Sequence, residues 1–327
     1  MPDPSSTSLR DELQAALGAT FAIERELPRG GMSRVFAARE TALGRTVVIK
    51  VLSPELVAGM SAERFRREIA LAARLQHPNI VPLLTSGQAA SSVYYTMPLV
   101  DGDSLRERMS RERPMSVENV ARILEEVASA LDYAHELGIV HRDIKPENVM
   151  FFHDKAVVLD FGIGKAISVA SVDGDDPAAA RITRSGTTLG TPTYIPPEQA
   201  AGDPNLDHRA DIYSLGVVAY EMLTGHPPFA GRNAAAVMAA HAHQPPEPIS
   251  ARRPGVPAPL ARIVMQCLEK SPDRRPQRAA EIVQTLRGGP AAAAAGDRGG
   301  ISAIPAWVPW AIAAVATVVA VFMAVRR

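Results

Sequence analysis

One cysteine, Cys267, occurs in 327 residues, so no disulfide can form within the chain. Cys267 falls in an apolar helical pattern and reads as a small core residue, and a chain without disulfides suits a reducing compartment. Neither sign of charge is in excess: 35 Lys and Arg stand against 35 Asp and Glu, which removes any global attraction for nucleic acid. There is no internal repeat. Met1 to Ser8 is polar and rich in Pro and Ser, lacking the apolar core of a secretion signal. His241 and His243 are two apart, on different faces of a helix, with no ligand cluster beside them, so the pattern disfavours zinc.

What is present is enough chain for two packed lobes and an appendage. Residues 8–17 predict a short helix with Ser8 as its N-cap and Gly18 past its end. Strands are expected at 21–27, 35–39, 46–52, 80–84 and 93–97, with a helix at 61–76 whose Phe65, Ile69, Leu71, Ala72 and Leu75 share one side. From Ser104 the pattern turns helical, with helices predicted at 117–137, 210–223, 234–240, 260–268 and 279–286 and a Pro-rich loop at 245–259. Residues 288–305 are rich in Gly, Ala and Pro and read as a flexible linker. Residues 306–325 carry no charge over about the length a helix needs to cross a bilayer core. They read as one transmembrane helix, with Trp307 and Trp310 as interfacial anchors and Arg326 and Arg327 beyond the other face; the alternative is a helix docked on the rest of the chain.

Chemistry concentrates in His141-Arg142-Asp143-Ile144-Lys145-Pro146-Glu147-Asn148. On a tight loop, Asp143 can accept a proton from an incoming hydroxyl, Lys145 can neutralise a phosphoryl group in flight, and Asn148 offers a neutral oxygen to magnesium. Asp160-Phe161-Gly162 follows the apolar run Ala156 to Leu159, so a strand presents the Asp160 carboxylate, a hard oxygen that also suits magnesium.

With these motifs in place, residues 21–286 resemble the bacterial eukaryotic-like (Hanks-type) Ser/Thr protein kinases. The resemblance implies an α+β, bilobal protein kinase-like fold with a β-rich N-lobe and an α-helical C-lobe, followed here by the C-terminal transmembrane helix. The implied organisation is an N-terminal extension (1–20), a kinase domain (21–287), a juxtamembrane linker (288–305) and a span (306–325). Catalysis would rest on Asp143, Lys145 and Asn148, and metal binding on Asn148 and Asp160. ATP would be held by Leu27, Gly30, Gly31, Val35, Val48, Lys50, Glu68, Met97, Pro98, Val100 and Met150, with Lys50 on the phosphates and Glu68 its carboxylate partner. Val35 and Val48 would lie above the adenine and Met150 below it, Met97 would be the gatekeeper, and Pro98 to Val100 the hinge. Of the family's three phosphate-loop glycines only Gly30 remains, the others falling on Pro28 and Ser33; Pro28 lacks a donor, and weak nucleotide binding is the expected consequence.

Gly190 to Tyr194 and Pro196-Pro197-Glu198 resemble the peptide-acceptor end of an activation segment, which implies protein substrates. Thr183, Ser185, Thr187 and Thr188 resemble its phosphorylation sites, with Arg142 the cation to receive a phosphate. Glu198 is expected to pair with Arg275, and Asp211 to brace the catalytic loop through its backbone. The implied cofactors are ATP and Mg2+, with Mn2+ as the substitute ion. The implied partners are protein substrates and the membrane, with a transient homodimer allowed and no nucleic acid. The implied location is the cell (inner) membrane, single-pass, with the kinase domain cytoplasmic. Two rivals stand beside this reading: a pseudokinase scaffold, favoured by the depleted glycine loop but opposed by Lys50, Glu68, Asp143, Asn148 and Asp160, and a small-molecule kinase, opposed by residues 190–198.

Overall fold

The computed structural model describes residues 4–27, 33–52, 62–89, 92–161, 192–203, 206–231 and 233–288. Pro28, Gly30, Gly31, Gly162, Thr183, Ser185, Thr187, Thr188, Gly190, the linker from 289 onward and the expected span at 306–325 lie outside them, as does the side chain of Phe65. Among the described residues no helix is long and apolar enough to cross a membrane.

Helix α1 (Pro4–Leu17) begins earlier than Ser8, proline being accepted in a first turn where no N–H partner is needed. Strands β1 (Phe21–Leu27), β2 (Ser33–Glu40) and β3 (Thr46–Leu52) follow, then helix α2 (Ala62–Ala72), β4 (Thr85–Ala89) and β5 (Ser92–Pro98). The strands form one antiparallel sheet in the order β1-β2-β3-β5-β4. Alternation puts Phe36, Ala38, Val47, Ile49 and Val51 on one face with Leu13 and Leu17 of α1; Val35, Val48, Leu52, Tyr95 and Met97 line the other with Ile69 of α2. Helix α1 also braces the edge strand. The Ile23 N–H donates to Gln14 Oε1 at 2.8 Å and Arg10 donates to the carbonyls of Ile23 and Glu24.

The strand expected at 80–84 is not one. Ile80 makes a single bridge to Val158, residues 81–84 form no ladder, and the strand runs through the more polar Thr85–Ala89 instead. Pro82 cannot donate to a ladder, and Val81 and Leu83 turn inward against the cluster of Val35, Val48 and Met97, so burial placed them without pairing.

Below the sheet come α3 (Leu105–Arg111), α4 (Val117–Glu136), a 3-10 turn at Pro146–Asn148, the hairpin β6 (Val149–Phe152) and β7 (Lys155–Val158), and α5 (Pro197–Ala200). Then follow α6 (Arg209–Thr224), α7 (Ala234–His243), α8 (Ile249–Arg252), α9 (Ala258–Cys267) and α10 (Ala279–Leu286). Helix α8 interrupts the stretch expected as a plain Pro-rich loop. Ser116 caps α4 through the Asn119 N–H, and Ser104 with Glu107 forms a capping box on α3. Nearly all of α6 is buried, which explains why its sequence is apolar all round rather than on one stripe. One continuous core joins α4, α6, α9 and α10, including Cys267, which is buried as expected and whose thiol burial pushes up to about 12.

Candidate active site

The loop from His141 to Asn148 is fixed from beneath by one buried carboxylate. Asp211, in the first turn of α6, accepts from the backbone N–H of His141 and of Arg142, each at 2.7 Å, and lies 2.8 Å from His135 Nε2. Burial would raise the Asp211 pKa, but the contact with His135, the nearby His141 and the amide donor outweigh it, so the carboxyl stays below its ordinary range. The loop is fixed from the side as well. His141, fully buried, donates from Nε2 to the Leu159 carbonyl at 2.7 Å while its Nδ1 accepts from the Asp143 N–H at 3.2 Å, which sets the tautomer. Its ring meets Phe161 edge-on at 4.7 Å.

These constraints leave Asp143 presented to solvent, its side chain about half exposed. Its Oδ2 accepts from Lys145 Nζ at 2.6 Å and from Asn148 Nδ2 at 2.9 Å. Asn148 also donates to the Asp143 carbonyl, so its amide nitrogen faces the acid and its carbonyl oxygen is the atom suited to a cation. The three residues expected to carry catalysis therefore form one connected group.

Lys50 and Asp160 meet above this loop. Asp160 has φ 64, left-handed backbone that Asp tolerates better than most residues, and its Oδ2 lies 2.8 Å from Lys50 Nζ. Glu68 was expected as the acid on Lys50, and here the structure differs: the ion pair is with Asp160. Sequence spacing places Glu68 on α2 but does not fix how near that helix stands to β3, and Asp160 arrives from the strand end already aimed at the lysine. The charge of Glu68 is felt instead at Arg142, where it and Asp211 partly offset the burial that lowers the guanidinium pKa.

The residues expected around adenine lie on β1, β2, β3, β5, the connection after it and β6. Val35 lies opposite Lys50 and Val48 opposite Met97 in the sheet register; Val35, Val48 and Met97 are buried in one cluster that Leu27 and Leu99 join from the side. Pro98 ends β5, Val100 follows it in the connection, and Met150 lies on β6. A small cavity behind Met97 is walled by Ala72, Leu75, Tyr95, Asp160 and Phe161.

Both scaffold expectations, Asp211 under the loop and Glu198 with Arg275, hold in the geometry. Arg275, 2% exposed, makes a bidentate pair with Glu198 at 2.6 and 2.8 Å, and its guanidinium also donates to the carbonyls of Glu269, Arg209 and Lys270. His241 is a buried core histidine whose Nδ1 lies 2.9 Å from the Tyr213 hydroxyl, and the described residues contain no cluster of metal-ligating side chains.

Two residues escaped sequence reasoning. Arg106 on α3 joins Glu147 and Glu221 and reaches the Tyr194 hydroxyl, partners far apart in the chain with no spacing to betray them. Tyr95 donates to Asp160 Oδ1 at 2.7 Å; its place opposite Lys50 on β5 is a signal that strand pairing could have given.

A family model for the protein kinase domain matches residues 21–286. The chain belongs to the protein kinase family. It is 40% identical over 288 residues to the serine/threonine-protein kinase PknB of Mycobacterium tuberculosis, covering 86% of this chain and 43% of that protein. Against PknB of Mycobacterium leprae it is 40% identical over 259 residues, 77% of this chain and 40% of the relative. Against the serine/threonine-protein kinase pkn3 of Myxococcus xanthus it is 39% identical over 265 residues, 78% and 47%. The chain thus spans less than half the length of these curated relatives. Asn148, through its side-chain carbonyl, and Asp160, through its carboxylate, are each a hard oxygen donor of the kind that would suit Mg2+.

Proposed function

We propose that this chain is a Ser/Thr protein kinase, transferring the γ-phosphoryl group of ATP to protein hydroxyls. The observation that carries the reading is the Asp143–Lys145–Asn148 group, its Asp143 side chain half exposed, on a loop held by Asp211 and His141. The similarity to named Ser/Thr kinases along the same residues supports it. Asp143 accepts the hydrogen bond of the incoming hydroxyl and orients its oxygen; Lys145 places a positive charge beside the transferring group. As the new bond from hydroxyl oxygen to γ-phosphorus forms, the bond to the bridging oxygen breaks, ADP leaves, and the proton passes to Asp143. Lys50 supplies the cation for the ATP phosphates, and Val35, Val48 and Met97 the apolar walls for the base. Mg2+ held at Asn148 and Asp160 would supply neutralisation of phosphate charge.

The same proposal extends to the stretches outside the described residues. The uncharged run at 306–325 supports a membrane anchor with the catalytic lobes on the cytoplasmic side, where ATP is supplied. Thr183, Ser185, Thr187 and Thr188 would take phosphate by autophosphorylation, a transient homodimer bringing one copy's segment to the Asp143 of another. Incubating the full chain with labelled ATP, Mg2+ and a protein acceptor tests the core of this. Label on Ser or Thr of protein is expected; ATP binding without any labelled protein would favour the scaffold reading, and label only on a small molecule would overturn the substrate class.

A further inference from the structure

Asp160 is held by two groups of the sheet, and only one belongs to the expected machinery. Lys50 Nζ sits 2.8 Å from its Oδ2 and the Tyr95 hydroxyl 2.7 Å from its Oδ1. Lys50 and Tyr95 are direct partners across β3 and β5, and the Lys50 ammonium lies 5.8 Å from the Tyr95 ring centre, so each of the three side chains meets the other two. Tyr95 is 2% exposed and its ring is packed with Val35, Val48, Leu52 and Met97, leaving the hydroxyl little freedom to follow Asp160 if the carboxylate moves. Tyr95, Asp160 and Phe161 also wall the small cavity behind Met97.

We propose that the Tyr95 hydroxyl is a positioning group for Asp160, latching its carboxylate against Lys50 in the resting kinase and setting the Mg2+ concentration at which ATP is gripped. This rests on the reading of Lys50 and Asp160 as the phosphate and metal residues. The carboxylate oxygens that would face a metal each accept a hydrogen bond from the sheet, and the Lys50 charge that would face phosphate is directed at Asp160. Engaging Mg2+ and ATP must therefore weaken the Tyr95 contact, and the latch raises the metal requirement. A phenylalanine keeps the ring and its packing and removes only the donor.

The test is a Mg2+ titration of ATP binding, read as the ligand-induced rise in Tm of the full chain, beside a titration of protein phosphorylation. Tyr95→Phe should lower the half-saturating Mg2+ concentration roughly tenfold, the scale of one hydrogen bond to a charged carboxylate, and lower KM for ATP more than it changes kcat. A side chain with a merely structural role would shift Tm without moving the Mg2+ midpoint downward. Tyr95→Met, which keeps apolar bulk and drops the hydroxyl, repeats the measurement should the first variant fail to fold. A midpoint unchanged or raised in the folded variant overturns the latch. A parent that binds Mg2+ and ATP yet labels no protein refutes the kinase reading instead, and the binding titration still decides on Tyr95.

Discussion

In the sheet half, the apolar residues of the five strands divide into two small clusters, one on each face, and among the described residues the Lys50 ammonium has one hydrogen-bond partner, Asp160. Below it, one core runs through α4, α6, α9 and α10, and its polar members are held by several partners each: Asp211 by three donors and Arg275 by a bidentate carboxylate and three carbonyls. A side chain with one partner can exchange it at the cost of one hydrogen bond, whereas one with four or five cannot move without leaving buried groups unpaired. The helical half is thus the fixed reference that positions Asp143, and the sheet half is the part that can readjust around nucleotide.

Removing Arg275 attacks that difference most directly. Arg275→Ala leaves Glu198, a carboxylate only 12% exposed, without its partner, and a loss of about 3 kcal/mol is expected. Chemical denaturation should show it as a lowered midpoint of the main transition. A loss below about 1 kcal/mol, the scale of an exposed pair, would show that the helical half is not braced this way.

Asp143→Asn separates position from chemistry. The substituted amide keeps the size of the side chain and can still meet Lys145 and Asn148, but it cannot take a proton. Turnover should fall about a hundredfold, about 2.7 kcal/mol in the barrier, with Tm and ATP affinity nearly unchanged. A matching loss of ATP affinity would mean that the loop is not independent of the sheet above it.

The sequence made this division partly legible. Thr46–Leu52 and Ala279–Leu286 fold with the bounds their patterns predict, since a short run rich in Val and Ile reads as a strand and apolar residues at helical spacing read as a helix. The loop residues Asp143, Lys145 and Asn148 lie within eight positions, so local chain geometry alone brings them together. Pairings across the lobes were harder: the acid on Lys50 comes from 110 positions away rather than from the helix next in sequence, and Tyr95 reads as just another apolar strand residue until its partner is known. Polar β4 and the four-residue α8 carry too little pattern to announce themselves.

His241 offers a pH probe of the lower core. Burial, with the Lys270 ammonium nearby, presses its pKa down to about 4, while Tyr213 and Phe229 pack on its ring and Lys270 Nζ donates to its carbonyl. The unfolded chain takes up this proton below about pH 6.5 and the folded chain only near 4, so stability is full above pH 6.5 and falls as pH drops through that window. In His241→Asn the stability curve between pH 6.5 and 4 should flatten relative to the parent. Parallel curves would mean that other groups set the acid limb.

The smallest expected effect concerns α1, which lies before the matched kinase residues yet shares the core of the sheet through Leu13 and Leu17. Gln14 accepts from the Ile23 N–H at 2.8 Å and donates to the Phe21 carbonyl at 3.3 Å, treating the free edge of β1 as a neighbouring strand would. Beside these bonds the β1–β2 register shifts between Ile23 and Arg25, so the edge has lost part of its own ladder where the helix supports it. Gln14→Ala removes both bonds while leaving Leu13 and Leu17 in place, and about 1 kcal/mol should be lost. If the two halves respond separately, amide hydrogen exchange will accelerate at Ile23 and along β1 and stay at parental rates in α4 and α6. Equal acceleration in both halves would mean that they unfold as one cooperative unit, and the contrast between a yielding sheet and a fixed helical base would then be one of geometry without a matching difference in local stability.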